Sequence, residues 1–294
     1  MRHIKTLPLL TALLPLSAFC QHANAYKPDY SEPKAPTGYT LAWHDEFNNT
    51  GKPDSTNWTY EKGFVRNQEL QWYQPDNANC KKGVLLIEGR KEKAVNPNYK
   101  EGSSSWRQSR QYAEYTSACI ETKGLQQFSF GRFEIRARID TSIGAWPAIW
   151  TLGIKGPWPD NGEIDQMEFY RVNNVPTILA NFAWGSGKPY KAKWNSKRTP
   201  LSHFLEKDKH WPEKFHVWRM GWSKDSISIY LDDELLNTSL PSQTLNADST
   251  NPFLQPQFLL LNMALGQNGG DPATAKFPIK YEVDYVRYYK KDGE

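Results

Sequence analysis

The stretch GEIDQMEFY, residues 162–170, sets Glu163, Asp165 and Glu168 within six positions of an otherwise apolar run. Like charges this close raise one another's pKa and cost stability, so three together call for a chemical reason. A regular strand would put Glu163 and Asp165 on one face with Met167 and Phe169, and Glu168 on the other with Ile164. Charge and core would then be mixed on both faces. One bulge at Gln166–Met167 removes the conflict, because two residues there oppose one. Glu163, Asp165, Glu168 and Tyr170 then face one way, and Ile164, Met167 and Phe169 the other. The two glutamate Cα atoms lie roughly 13 Å apart at ~3.3 Å per residue. Side chains leaning inward bring the carboxyl groups to about 5–5.5 Å, the spacing of a retaining glycosidase. In such a pair one carboxylate attacks the anomeric carbon and the other serves as acid, then base. An inverting pair stands about 6.5–9.5 Å apart to admit a water. Asp165, between the glutamates, is placed to hydrogen-bond the nucleophile and help keep the acid protonated. The plain alternative is an acidic strand face that binds a cation or pairs with arginines.

The surroundings weigh toward sugar chemistry. GAWPAIW puts Trp146 and Trp150 on one strand face just before the acidic strand, and Trp158 and Trp184 flank that strand. A ring face packs on the C–H face of a pyranose, so Trp146, Trp150 and Trp184 are candidate sugar contacts. For each lone Trp the other reading is core packing, above all for Trp150. Twelve Trp, 15 Tyr and 13 Phe make 14% aromatic residues in a chain of mean hydropathy −0.73. A β-rich core also draws aromatics, so composition alone does not decide.

The positioning elements read as strands. FGRFEIRARI (130–139) alternates cleanly, and VLLIEGR, YTSACIETKG, TILANFAWG, SISIYLDDELL, FLLLNMAL and YEVDYVRYY are further strand candidates punctuated by Gly, Pro, Asn and Asp. Only PLSHFLEKDKHW suits a helical turn or two. Many strands and almost no helix predict an all-β sandwich or barrel in one domain, residues 39–294, behind a Pro-rich arm at 26–38. The polar segment 91–111 is too long for a hairpin turn and reads as a wall beside a cleft.

The first 25 of the 294 residues have the layout of a secretory signal: a charged MRHIK, an apolar TLPLLTALLPLSAF, and Ala23-Asn24-Ala25 as a small-x-small cleavage site. The apolar run is short for a membrane span and no later segment suits one, so a secreted or periplasmic protein is expected. Cys20, in LSAFC, offers lipoprotein attachment as the alternative, although Phe19 is large for such a site. Cys80 and Cys119 could pair in an oxidising compartment. A net charge of +4 without a basic block argues against nucleic acid as a partner. The chain is expected to act as a monomer on a glycan, without cofactor.

WPAIWTLG followed by WPDNGEIDQME resembles the signature of the family 16 glycoside hydrolases, which include laminarinases, lichenases, agarases and carrageenases. Supporting matches run along nearly the whole chain past the signal: WHDEFN (43–48), NQELQWY (67–73), YTSACIETKG (115–124), FGRFEIRARI and YEVDYVRYY (281–289). The E-x-D-x-x-E spacing is that of the family's bulged branch. The resemblance implies a β-jelly-roll sandwich of two antiparallel sheets with a concave cleft, and endo-attack on a polysaccharide with retention. By position it implies Glu163 as nucleophile, Glu168 as acid/base and Asp165 as the assisting carboxylate. Trp146 would stack on a sugar beside the cleavage point, and Asn67 would contact a sugar on the non-reducing side. The chemistry requires no metal, but relatives sometimes hold a structural calcium on the convex face, for which Asp284 is a candidate ligand.

Departures bear on the substrate. β-1,3-Glucanases of the family usually carry a histidine in a T-x-H context soon after the acidic strand; here LANFAWG puts Ala183 and Trp184 there. Gln166 is polar where relatives often carry an aliphatic residue. Trp106, Arg107 and Arg110 in the long segment are unlike a plain glucanase, and the arginines could favour sulfated chains. A changed polar group in a sugar subsite shifts preference strongly. The default is therefore a β-1,3-glucan of the laminarin type, with a β-galactoside as its rival: poly-N-acetyllactosamine, mucin O-glycans or a marine galactan. A sugar-binding module without catalysis is the remaining class.

Overall fold

The computed structural model describes residues 25–293. In chain order its strands are β1 (Tyr39–Asp45), β2 (Thr59–Tyr60), β3 (Gln71–Tyr73), β4 (Ala78–Lys81), β5 (Val84–Gly89), β6 (Ala94–Val95), β7 (Tyr112–Ala113), β8 (Tyr115–Ser117) and β9 (Cys119–Glu121). The long strands follow: β10 (Gly131–Ile139), β11 (Ala145–Gly153), β12 (Glu163–Val172), β13 (Val175–Lys188) and β14 (Lys191–Pro200). The last five are β15 (His216–Trp222), β16 (Ile227–Leu231), β17 (Glu234–Ser239), β18 (Gln257–Leu265) and β19 (Ile279–Lys291). Two short α-helices, α1 (Trp106–Ser109) and α2 (Leu201–Lys207), and several single-turn 3-10 helices complete the described elements, and α2 falls in the one segment expected to be helical.

Two antiparallel sheets stack as a jelly-roll sandwich. One runs β17-β16-β15-β10-β19-β5-β4, with β1 also on β19; the other runs β14-β13-β12-β11-β18-β9-β2 and forms the cleft floor. The core between them follows from the alternation. Phe133 and Ile135 of β10 and Trp218 and Met220 of β15 meet Ile164, Met167 and Phe169 of β12 and Leu259 and Leu261 of β18. SISIYLDDELL divides in two, because Asp232, with φ +51°, turns the chain between β16 and β17. β14 was not legible as a strand: it is a polar edge strand with no apolar face, held by its pairing to β13.

The arm does more than lead into the domain. It lies on the outer sheet, where the Asp29 N–H donates to Asp284, Arg136 donates to the Lys27 carbonyl, and the Tyr30 hydroxyl donates to the Lys82 carbonyl at 2.7 Å. Cys80 and Cys119 are not paired; both are buried free thiols, on β4 and β9 of opposite sheets, and burial pushes the Cys80 thiol up to about 12. The signal sequence and Cys20 lie outside the described residues, apart from Ala25 at the expected cleavage point, whose carbonyl accepts from the Phe215 N–H. Among the described residues no helix is long and apolar enough to cross a membrane.

Candidate active site

β12 carries the bulge the side-chain pattern demands. Asp165 pairs with Asn181 and Glu168 with Leu179, so Gln166 and Met167 together oppose the single residue Ala180. Ile164, Met167 and Phe169 are fully buried in the core, and Glu163, Asp165, Glu168 and Tyr170 line a cleft of about 740 Å³. Burying the three apolar side chains is worth roughly 5–9 kcal/mol. That outweighs the roughly 3 kcal/mol implied by lifting one carboxylate from 4.5 to about 7. The bulge thus offsets the cost of Glu168, one of the three acids it aims. Gly162 turns the chain into β12 at φ +77°, and a Cβ there would meet Pro252 at 2.7 Å.

The three acids are differentiated by their donors. Glu163 accepts from the Trp158 indole N–H at 2.6 Å. Glu168 accepts from the Trp146 indole at Oε1 (3.0 Å) and from the Asn181 amide at Oε2 (2.9 Å). The same Asn181 nitrogen reaches Asp165 Oδ2 at 3.0 Å, and Asp165 lies in hydrogen-bonding reach of both glutamates. Burial raises all three carboxyls. Glu168 rises to about 7; the indole opposes the rise and the Glu163 charge adds to it. Asp165 is driven well up by burial and by repulsion from both glutamates. Glu163 is raised by burial, against the Trp158 donor.

The other residues singled out from the sequence divide between cleft and core. Trp146 lines the cleft, its ring edge-on to Tyr170 at 5.4 Å. Trp150 forms the floor, donating to Asn262 at 2.7 Å beneath the Arg66 guanidinium. Asn67 reaches the cleft from a loop where it and Gln68 adopt φ +54° and +53°. Two successive non-glycine residues in the left-handed region cost about 1–3 kcal/mol each and need support. The segment 91–111 supplies it: Arg107 donates to the Phe64 and Val65 carbonyls, and Arg110 to the Glu69 carbonyl. The buried Glu69 carboxylate accepts from Asn67, Gln71 and Tyr73, and Asn262 joins Tyr73 to Trp150.

Three expectations need correction. Trp184 is not in the cleft: it follows Ala183, the partner of Glu163, so alternation turns its ring to the core. Gln166 also points away from the sugar site, donating to the Trp218 carbonyl of the opposite sheet at 2.6 Å. Asp284 is not free to ligate calcium, since Arg136 pairs with it and the Asp29 N–H caps it; the described residues contain no cluster of three metal-ligating side chains. The arginines of the long segment are likewise committed to the Asn67 loop. Reading the sequence alone missed Asn181, the donor role of Trp158, and Tyr190 and Trp194, which line the cleft from β14 and its turn. The register of β13 and β14 is what reveals Asn181 and Trp194, and no local motif carries it.

A jelly-roll cleft into which a bulged strand aims three acids has the arrangement expected of a glycoside hydrolase. The profile described as glycosyl hydrolases family 16 matches residues 72–287, and the chain belongs to that family. It is an endo-acting glycosidase working with retention. A beta-glucanase of Rhodothermus marinus is 36% identical, with 87% of each chain covered. A keratan-sulfate endo-1,4-beta-galactosidase of Sphingobacterium multivorum is 29% identical over 87% of this chain and 56% of its own length, so this chain spans little more than half of it. Among solved structures, one from work on endo-acting O-glycanases with which human gut bacteria initiate mucin breakdown superposes with a TM-score of 0.79. It shows 32% identity and covers 89% of this chain and 94% of that one.

Proposed function

We propose that the protein is an exported enzyme that cuts internal β-galactosidic bonds of poly-N-acetyllactosamine and mucin-type O-glycans. Glu163 is the nucleophile: its carboxylate attacks the anomeric carbon while Glu168 gives its proton to the glycosidic oxygen, and the leaving chain departs. The ester so formed removes the Glu163 charge that had helped to raise Glu168. Having given up its proton, Glu168 is now a carboxylate that accepts from Trp146 and Asn181, and it takes a proton from the water that hydrolyses the ester. Asp165 holds its proton toward the nucleophile and stabilises the charge that returns there.

The observation that carries the substrate is Ala183. It pairs with Glu163 on one side and Trp194 on the other, so a methyl group stands beside the nucleophile, in the stretch where the resemblance to β-1,3-glucanases implies a histidine at about Ala183 and Trp184. The sugar there meets the Trp158 ring, which lines the cleft and donates to Glu163. Galactose, with an axial O4, offers an unbroken C3–C4–C5 hydrogen face for such packing. Glucose, with its hydroxyls all equatorial, loses more when an in-plane polar partner is missing. The O-glycanase likeness supports the same reading. A β-1,3-glucan of the laminarin type is the second reading, favoured by the 36% identity to a beta-glucanase.

The test is incubation with mucin O-glycans, desulfated keratan chains, laminarin and barley glucan, with the released fragments read by mass. Galactose-terminated fragments are expected, and Glu163→Gln should abolish them while still binding the glycan. Glucan oligomers alone would replace the first reading by the second. If no glycan is cut, the catalytic reading fails.

A further inference from the structure

The edge strand of the cleft sheet brings a second set of side chains up to the acids. The register across β12, β13 and β14 runs Glu163–Ala183–Trp194, Asp165–Asn181–Ser196 and Glu168–Leu179–Arg198. Paired residues of neighbouring antiparallel strands share a face, so Trp194, Ser196 and Arg198 stand on the cleft side. Lys193 and Lys197 alternate to the other side. Two strand spacings of ~4.8 Å place the Arg198 Cα about 10 Å from that of Glu168. A guanidinium on its long stem spans much of that gap.

Arg198 is exposed, and its guanidinium enters none of the ion pairs or hydrogen bonds of the described residues. That sets it apart from the two arginines that line the cleft. Arg66 is paired with Glu61, and Arg107 is spent on the Phe64 and Val65 carbonyls. Its charge is felt at Tyr170, which lines the cleft in contact with Trp146. Beside it, Trp194 is 48% exposed and offers a ring face, and Ser196 offers an exposed hydroxyl. Asn67 stands at the far end of the cleft, across β11 and β18 from this hairpin. With the non-reducing side at Asn67, β14 receives the leaving-group side, in the row of the acid/base.

We propose that the cleft face of β14 is a subsite for an anionic substituent, a sulfate ester or carboxylate, on the sugar that leaves, with Arg198 as its cation, Ser196 as a donor and Trp194 as the ring platform. This rests on the glycosidase assignment above, but not on which neutral polymer is cut. A guanidinium meets a sulfate or carboxylate through paired N–H donors, a geometry ammonium groups lack. The adjacent acids repel an anion, so the position of Arg198 away from Asp165 and toward the rim suits a substituent that projects from the ring.

The experiment compares kcat/KM on a neutral chain and on its sulfated form: desulfated against 6-O-sulfated keratan, and laminarin against partially sulfated laminarin. A mucin O-glycan that carries sialic acid as a branch on its reducing-end GalNAc, before and after desialylation, forms the carboxylate arm. The wild-type enzyme should prefer the anionic form of whichever backbone it cuts by about 10-fold at low salt, with the preference fading toward 0.5 M salt. Arg198→Gln should bring that ratio down to about 1, whereas Lys197→Gln, on the opposite face, should keep it. A preference for sulfate alone or for carboxylate alone identifies the ligand. A wild-type ratio near 1, or an Arg198→Gln ratio equal to wild type, would overturn the subsite while leaving the glycosidase assignment intact. Absence of cutting on every neutral and anionic chain would remove both.

Discussion

Asn181 offers the sharpest test of how the acid cluster works. Its amide nitrogen donates to Glu168 at 2.9 Å and to Asp165 at 3.0 Å, while its own carbonyl oxygen is buried without a partner. Both bonds favour ionised carboxylates. Replacing Asn181 by Leu, alike in its branching at Cγ though bulkier, removes the donor and the orphaned oxygen together. A hydrogen bond to a charged group is worth about 1.5–3 kcal/mol, and 1.36 kcal/mol is one pKa unit, so Glu168 should rise by about one to two units from its value of about 7. Glu168 must be protonated to act as the acid, so activity is lost as pH rises through its pKa. The alkaline limb of the kcat/KM profile should therefore move up by one to two pH units. Turnover should fall at low pH, where the second step needs the carboxylate. The melting temperature should change little, because a lost pair of bonds is set against a removed unpaired oxygen. An alkaline limb that stays in place, or moves toward acid, in a folded Asn181→Leu enzyme would refute the reasoning.

The same raised pKa has a stability consequence. Glu168 binds its proton more tightly folded (about 7) than unfolded (4.5), so the cost of burying its charge is absent below about pH 4.5 and fully present above about pH 7. Glu168→Gln should therefore raise the melting temperature at pH 8 and hardly alter it at pH 4; equal shifts at both would exclude the linkage. Trp146→Ala should weaken oligosaccharide binding roughly 5- to 30-fold by calorimetry, about 1–2 kcal/mol for a lost ring platform; unchanged affinity would remove the ring from the sugar site. Asp284→Ala leaves the Arg136 charge buried and should cost about 3–5 kcal/mol in denaturant unfolding. EDTA should leave the wild-type melting temperature where it is, and a metal-reversible drop would restore the calcium assignment.

The acidic strand was legible because its chemistry is local. Six residues contain both the acids and the apolar positions that must turn inward, and only one bulge reconciles them. The family signature likewise lies in contiguous words such as WPDNGEIDQME, and the sandwich follows from two-residue alternation that any strand-by-strand reading recovers. What distant segments contribute was not legible. Asn181 is one polar residue in an apolar strand until pairing with β12 sets it against Asp165. Trp184 and Trp194 are equivalent in composition, yet alternation sends the first to the core, while the register of an edge strand with no apolar pattern brings the second to the cleft. Asp284 looked available until Arg136, 148 positions away, closed on it. The sequence alone thus determined which three acids share one face, because bulge and burial act over a few bonds. The tertiary structure decided which groups surround them, because strand register and sheet order join positions that no local period connects.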